Sequence, residues 1–488
     1  MKPFYLITFF FFLIITAYSQ TDRTNYSEAF RIIEVWLDTQ KDFEKLPGIS
    51  AALIEDQEVL WSGAFGLANV EKNVKMKSST ICGICSISKL FTSIAIMKLY
   101  DEGKLRLDDC IEDLLPWYDL EQKFPDSGPI TVRSLLTHSS GLPREANFPY
   151  WTGPDFPFPT SDQVNEELSE QETLYPASTW FQYSNLGMTL LGEIIEEISG
   201  ISYDEYIRQN ILIPLGLTDT RTELPEALYG SQLAIGYSAI NRNAEREKVN
   251  LFHANGIKPA AGLSSNVLDL GKFASWQFQL MDTTTAEILK PSTLKYMYNV
   301  HWADPDVHWS EPYWKMNWGL GFMVFESQDN SKLVGHGGDC PGYRSFLILN
   351  PESKIAVAVM INANGTSPEK YAAGIIEILK KAEADEKKKS SENEEIIKNL
   401  QEFSGYYSNI PWESELYISE WNGNLVSLNL PSESPVKSMT FFRHIEGDTF
   451  RRIRDDGELG ETLVFERNAQ GEITQFKQHN NHSRKIIH

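Results

Sequence analysis

Cys82-Gly83-Ile84-Cys85-Ser86-Ile87-Ser88-Lys89-Leu90-Phe91 sets a serine and a lysine three residues apart at the head of an apolar run. From Ile87 to Glu102 the apolar positions Leu90, Phe91, Ile94, Met97 and Leu99 recur at helical spacing, and Gly103 supplies a stop. Residues i and i+3 share a helix face, so Ser86 and Lys89 point the same way. A serine hydroxyl is a weak nucleophile until a base takes its proton, and a desolvated, neutral lysine is such a base. The start of a helix also favours negative charge developing on a bound carbonyl oxygen. Taken alone, the same spacing equally describes a capping serine followed by a surface lysine.

Either side of this stretch the chain alternates helical and extended patterns. Asn25 to Lys45 predicts an amphipathic helix with Phe30, Ile33, Trp36 and Leu37 on one face. Ile49 to Leu67 predicts a β-hairpin around the polar turn Glu55-Asp56-Gln57-Glu58. Leu186 to Ser199 predicts a helix, with Gly200 beyond its end. Arg344 to Ile361 predicts a strand pair around Asn350-Pro351-Glu352-Ser353, and Ser367 to Lys381 a helix packed back on that sheet. Strands from both ends of this region thus feed one sheet, with helical material between.

Two more motifs punctuate that order. Tyr183-Ser184-Asn185 opens the second long helix, where tyrosine can move a proton if cations lower its pKa and asparagine can orient an amide, although capping by Ser184 or Asn185 explains the spacing as well. His336-Gly337-Gly338-Asp339 precedes Pro341-Gly342-Tyr343. Paired glycines at a strand edge allow a substrate to approach the backbone, or simply make a turn.

In this order the three motifs resemble the serine β-lactamase and penicillin-binding-protein superfamily, on the branch related to class C β-lactamases that also holds D-alanyl-D-alanine carboxypeptidases, D-aminopeptidases and esterases. Gly103 to Asp109, Leu135-Leu136-Thr137-His138-Ser139-Ser140-Gly141-Leu142-Pro143, Pro214 to Leu217, Ala261 to Ser265 and Gly319 to Phe322 match the same branch. The resemblance covers about residues 25 to 380. It implies an α/β fold: a three-layer β-lactamase-like domain, with an antiparallel sheet flanked by helices and a mainly helical subdomain. It further implies that Ser86 is the acylated nucleophile, Lys89 its base and Tyr183 a proton shuttle. Asn185, His336, Gly337 and Gly338 would contact substrate, and the backbone N–H groups of Ser86 and Asp339 would form the oxyanion hole. Where many members carry Lys-Thr-Gly or Lys-Ser-Gly, this chain has His336-Gly337-Gly338. A largely neutral histidine and a glycine replace a lysine and a hydroxyl that help bind a substrate carboxylate, a pattern resembling the esterase and D-aminopeptidase members.

Beyond Lys381 the composition changes. Glu383 to Glu395 is charged and nearly free of apolar residues, a solvated helix tail or linker. Short alternating runs follow, at Leu416-Ile418, Leu425-Leu430, Thr449-Ile453, Leu463-Phe465 and Ile473-Phe476, with Asn422-Gly423 and Asp456-Gly457 as turns. This predicts a small all-β, barrel-like domain, and Phe403-Ser404-Gly405-Tyr406-Tyr407 resembles the start of the lipocalin-like domain often appended to such enzymes. The expected division is a signal peptide at 1–19, a hydrolase domain at 20–382, a linker at 383–398 and the β-domain at 399–488.

The signal peptide rests on Lys2, the apolar run Phe4 to Ala17 and the small residues of Ala17-Tyr18-Ser19. That run is shorter than the ~20 residues needed to span hydrocarbon. Export to a periplasmic or secreted location is expected, with no membrane anchor after cleavage. Among 488 residues, 67 acidic against 44 basic side chains give a net charge of −23, which disfavours nucleic acid as a partner. The expected partner is a small-molecule or peptide ester or amide. Four cysteines are too few for a stapled scaffold, and Cys82-x-x-Cys85 lacks the context of a redox motif. No Gly-x-Ser-x-Gly elbow, HExxH, P-loop or EF-hand signature is found, and His301 and His308 lack a third ligand in sequence, so no metal or cofactor is expected. His138 is expected to hold a loop. The aromatic stretches Phe148 to Pro159 and Tyr296 to Trp318 are candidate pocket walls. Activity on an ester or amide through a Ser86 acyl-enzyme is the leading expectation. The alternatives are a β-lactamase, a D-Ala-D-Ala carboxypeptidase, and a silent binding protein for cell-wall peptides or sugars.

Overall fold

The computed structural model describes residues 26–303, 314–327, 330–389 and 399–487. The expected signal peptide lies outside them, as do His308 and Trp309. An eight-stranded antiparallel sheet forms the centre of the first domain. Its strands are β1 (Gly48–Glu55), β2 (Glu58–Asn69), β3 (Val74–Lys75), β4 (Lys315–Trp318), β5 (Met323–Glu326), β6 (Lys332–Cys340), β7 (Tyr343–Asn350) and β8 (Ile355–Ile361), in the spatial order β3-β2-β1-β8-β7-β6-β5-β4. The two ends of the domain meet where β1 pairs with β8, from Ile49 opposite Ile361 to Glu55 opposite Ile355.

Both faces of the sheet are covered, and the period of two decides which residue goes where. Along β8, Ala356, Ala358 and Met360 face the core shared with helices α2 (Ser88–Asp101), α3 (Asn185–Ser199) and α4 (Val267–Asp282). Val357, Val359 and Ile361 face the opposite core, which holds Trp36 and Leu37 of α1 (Ser27–Phe43) and Tyr371 and Ile375 of α5 (Pro368–Lys389). The result is three layers. In α1 the sequence-predicted face is buried at Ile33, Trp36 and Leu37, joined by Ile32, while Phe30 sits at its margin. Helix α5 runs on to Lys389, eight residues beyond the Ser367–Lys381 span expected from the sequence.

The second domain is a closed antiparallel barrel of eight strands from Gly405 to Ile486. Five of its strands follow the alternating runs. Gly405–Ser408, Met439–Glu446 and Asn481–Ile486 do not stand out in the pattern and complete the closure. Phe403, Tyr407, Phe450, Phe465 and Phe476 fill its interior. The barrel docks on the first domain at α1 and α5. Trp36 Nε1 donates to the Ser432 carbonyl at 2.8 Å, the Ser432 N–H donates to Gln40 Oε1 at 2.9 Å, and Trp421 Nε1 donates to Asp385 Oδ2 at 2.9 Å.

Candidate active site

The chain enters the site through a two-residue strand, Cys82–Gly83, paired with Ser264–Ser265. It then makes a tight turn of 3-10 helix at Cys85–Ile87 before α2 begins at Ser88. Cys85 takes φ +53°, a left-handed conformation that a side chain rarely adopts. Strain of this kind persists only where the surroundings over-determine it. Here Cys85 is fully buried and bonded by a disulfide to Cys340, at the end of β6. Cys85 therefore pairs with a distant partner and not within Cys82-x-x-Cys85; Cys82 is a free, buried thiol whose pKa burial pushes up to about 12.

Ser86 is the partly accessible residue in a buried stretch. One turn on, Lys89 is completely buried, with Nζ 3.0 Å from Ser86 Oγ, 2.8 Å from Asn185 Oδ1 and 2.8 Å from the Ala260 carbonyl. Burial holds the amine well below the ordinary lysine range. The Glu145 carboxylate partly opposes that shift and Arg144 adds to it. The amide and carbonyl oxygens only accept, so a neutral amine satisfies both with its two N–H groups. Its lone pair is then left facing the Ser86 hydroxyl.

Tyr183 lies against the same pair. It lines the cavity with Ser86, and Lys89 Nζ and the Arg144 guanidinium each sit 4.8 Å from its ring centre. Although the Arg144 charge favours the phenolate, the phenol is raised well above the usual tyrosine range, because burial dominates. The sequence-based route of cations lowering its pKa does not prevail. His138, at φ +56°, packs its ring 4.4 Å from that of Tyr183, and its Nδ1 accepts the Ser184 N–H at 3.2 Å. Burial, with Arg144 adding to it, keeps His138 well below its ordinary pKa, so it is neutral and braces the loop. Ser184 caps α3, accepting the Gly187 N–H at 2.8 Å and donating to the Pro143 carbonyl at 2.6 Å. This cap orients Asn185 at the head of the helix.

The facing wall is β6. At Gly338 a Cβ would stand 2.2 Å from the Ile84 carbonyl oxygen and 2.3 Å from Ser345 Oγ, so the strand runs against the turn that carries Ser86 only because this residue has no side chain. Gly337 is accessible from the cavity. His336 is buried, and burial pushes its pKa down to about 3. The Asp339 carboxylate turns away to Arg344 at 2.7 Å and Asn364 at 3.1 Å. Between the walls is a cavity of about 360 Å³ lined by Ser86, Tyr183, Phe181, Met316, Trp318 and Phe346, together with the His336–Asp339 strand.

A sequence model described as Beta-lactamase matches residues 37–380. The chain belongs to the beta-lactamase family. It is 26% identical to Protein flp of Staphylococcus aureus over 348 residues, 70% of this chain and 64% of that protein. It is 28% identical to Penicillin-binding protein 4* of Bacillus subtilis over 307 residues, 60% of this chain and 63% of that protein. The chain thus spans somewhat less than two thirds of the length of these relatives. Among solved structures it is similar to the octameric penicillin-binding protein homologue from Pyrococcus abyssi, at TM-score 0.63 and 25% identity, covering 93% of this chain and 100% of that one. It also shares its fold with a D-stereospecific amidohydrolase from Streptomyces, at TM-score 0.56 and 22% identity, covering 73% of this chain and 98% of that one.

Against that family background, the site brings together Ser86, Lys89, Tyr183 and Asn185, with His336 to Asp339 across the cavity. Three participants were not evident from the sequence. Both carboxylate oxygens of Glu145 accept from Asn185 Nδ2, at 2.8 and 3.0 Å, which turns Oδ1 toward Lys89; Tyr150 O–H also donates to Glu145. Arg144 packs on Tyr183. The Ala260 carbonyl holds Lys89. Arg144 and Glu145 directly follow the Leu135–Pro143 motif, so their position beside the site was the available signal. Of the aromatic stretches, Trp318 lines the cavity. Tyr150, Trp151 and Phe158 instead pack on one another and on Phe252.

Proposed function

We propose that the protein is an exported serine hydrolase that cleaves an ester or amide through an acyl-enzyme on Ser86. The observation that carries this reading is the 3.0 Å contact between Ser86 Oγ and a fully buried Lys89, opening on a cavity. In the forward step Ser86 Oγ attacks the substrate carbonyl carbon and its proton passes to Lys89 Nζ. The N–H groups of Ser86 and Asp339 receive the oxyanion. As the tetrahedral intermediate collapses, the proton moves to the leaving alcohol or amine through Lys89 and Tyr183, and the acyl group stays on Ser86. Water then attacks the acyl carbon, giving up its proton to the same pair, and the Ser86 hydroxyl is restored. Asn185 holds Lys89 in place throughout. His336 is neutral and Gly337 has no hydroxyl, which favours an ester or an amide without a carboxylate over a β-lactam.

Intact-mass analysis after treatment with a fluorophosphonate tests this. One adduct is expected, absent in Ser86→Ala. An unlabelled wild-type Ser86 overturns the reading and favours the silent binding protein. A chromogenic cephalosporin beside short-chain aryl esters separates a β-lactamase from an esterase.

A further inference from the structure

The cavity wall beside Gly337 carries an acidic group that the reaction does not use. Glu369, at the N-terminal end of α5, places Oε1 3.2 Å from the point a Cβ of Gly337 would occupy, and a ring carbon of Phe346 lies 3.5 Å from the same point. The two carboxylate oxygens have different surroundings. Oε2 accepts the Ser367 hydroxyl at 2.6 Å and has the Arg344 guanidinium at 4.0 Å. Arg344 is itself engaged with Asp339 at 2.7 Å. Oε1 is the oxygen directed over the accessible glycine, inside the cavity. The two guanidinium groups that also line the cavity are each paired, Arg344 with Asp339 and Arg144 with Glu145 at 3.1 Å, so the carboxylate oxygen and aromatic surface converging on one open point suit a cation.

We infer that Glu369 is a specificity-determining residue that selects substrates whose acyl part carries an ammonium group. The inference rests on the proposed acyl-enzyme at Ser86 and deepens it. Gly337 is two residues from Asp339 on an extended strand, about 6.6 Å away. An ammonium a few bonds from the scissile carbonyl reaches Glu369 while the carbonyl oxygen faces the Asp339 N–H. The apolar wall of Phe181, Trp318 and Phe346 accommodates the methylenes between them. A substrate with a carboxylate at that position meets Glu369 as a like charge.

Three 4-nitrophenyl esters with the same two-methylene spacer test this: the β-alanyl ester, with an ammonium; its isostere, the butyryl ester, with a methyl; and the succinyl half-ester, with a carboxylate. Rates are read as kcat/KM above the Ser86→Ala background, with acylation of Ser86 followed by mass. The wild type is expected to prefer β-alanyl over butyryl by about ten-fold or more, the scale of one charge-assisted hydrogen bond, with succinyl slowest. Glu369→Gln is expected to bring the β-alanyl to butyryl ratio within about two-fold, and Glu369→Asp to keep most of it. Taking the ratio cancels any general loss of folded or active enzyme. A ratio near one in the wild type, or one that Glu369→Gln leaves unchanged, overturns the inference while Ser86 still acylates. Absence of acylation by all three esters overturns the reading beneath it instead.

Discussion

Cys85 and Cys340 are joined by a disulfide whose two halves immediately flank Ser86 on one side and Asp339 on the other. The bond, 255 residues apart in sequence, ties the turn that presents the hydroxyl to the strand that faces it. The Ser345 hydroxyl donating to the Ile84 carbonyl at 3.1 Å, and the missing side chain of Gly338, hold the same two segments together. The geometry of the site is therefore set by a covalent link and a close backbone approach, both outside the polar cluster itself.

Removing that link should loosen the site as well as the fold. Losing a native disulfide typically costs about 2–5 kcal/mol. The double variant Cys85→Ser, Cys340→Ser is expected to unfold at lower temperature and to label more slowly with a fluorophosphonate. Calorimetry and labelling rates measured side by side check this. An unchanged midpoint together with an unchanged labelling rate refutes the structural role given to the bond.

The pH profile of acylation should show a single limb. Lys89 is held well below the ordinary lysine range and acts as a base only when neutral. The rate should therefore rise as pH climbs through the depressed pKa, then level off. His138 and His336 are both pushed down by burial and stay neutral, so no further inflection is expected near the ordinary histidine value of about 6.5. Lys89→Arg keeps its proton and should lose about 10²–10⁴-fold in rate. Fluorophosphonate labelling across pH, in wild type and variant, measures both effects. A limb that persists unchanged in Lys89→Arg would point to a different base.

How far the sequence revealed this site depends on the kind of contact. Ser86 and Lys89 share one helical turn and Tyr183 and Asn185 open a periodic helix, but it was the order of the motifs, through the family resemblance, that gave these residues their roles. The strand pair β7–β8 was legible from two apolar runs around the turn Asn350–Ser353, whereas the three layers were implied only by the family resemblance. Glu145 was hidden because it sits in an irregular loop and acts across 40 residues on Asn185. The Ala260 contribution was hidden because it is a backbone oxygen, which no side-chain pattern encodes. The disulfide was hidden because the near pair, Cys82 and Cys85, competes in sequence with the true partner 255 residues away. In the barrel, Met439–Glu446 has only one fully buried position, so alternation was too weak to mark a strand.

Glu145 should act as a positioning residue, with two separable effects. It fixes the Asn185 amide, and its negative charge raises the Lys89 pKa against the pull of burial. In Glu145→Gln the charge is gone, so the Lys89 pKa should fall further and the acidic limb of the acylation profile should move to lower pH. The plateau should also drop, by about ten-fold, as Asn185 loses a charge-assisted partner. A purely structural role would lower the plateau without moving the limb. The pH profile of labelling distinguishes the two, and an unmoved limb sinks the electrostatic part.

The two adjacent glycines of β6 should respond differently to the same substitution. In Gly338→Ala the new methyl meets the Ile84 carbonyl at 2.2 Å, backbone that cannot swing aside, so the strand must part from the turn carrying Ser86. A loss of about 1–3 kcal/mol in stability and a marked fall in labelling are expected. In Gly337→Ala the nearest atom is Glu369 Oε1 at 3.2 Å, the end of a flexible side chain, so the fold should stay within about 0.5 kcal/mol of wild type. The methyl would nevertheless stand in the space between Glu369 and Phe346. Gly337→Ala should therefore keep its unfolding midpoint and lose the preference for the ammonium-bearing ester. Denaturant unfolding and the ester ratio, measured on both variants, check the contrast. Equal stability losses at the two positions would mean that β6 does not lie against Ile84 as described.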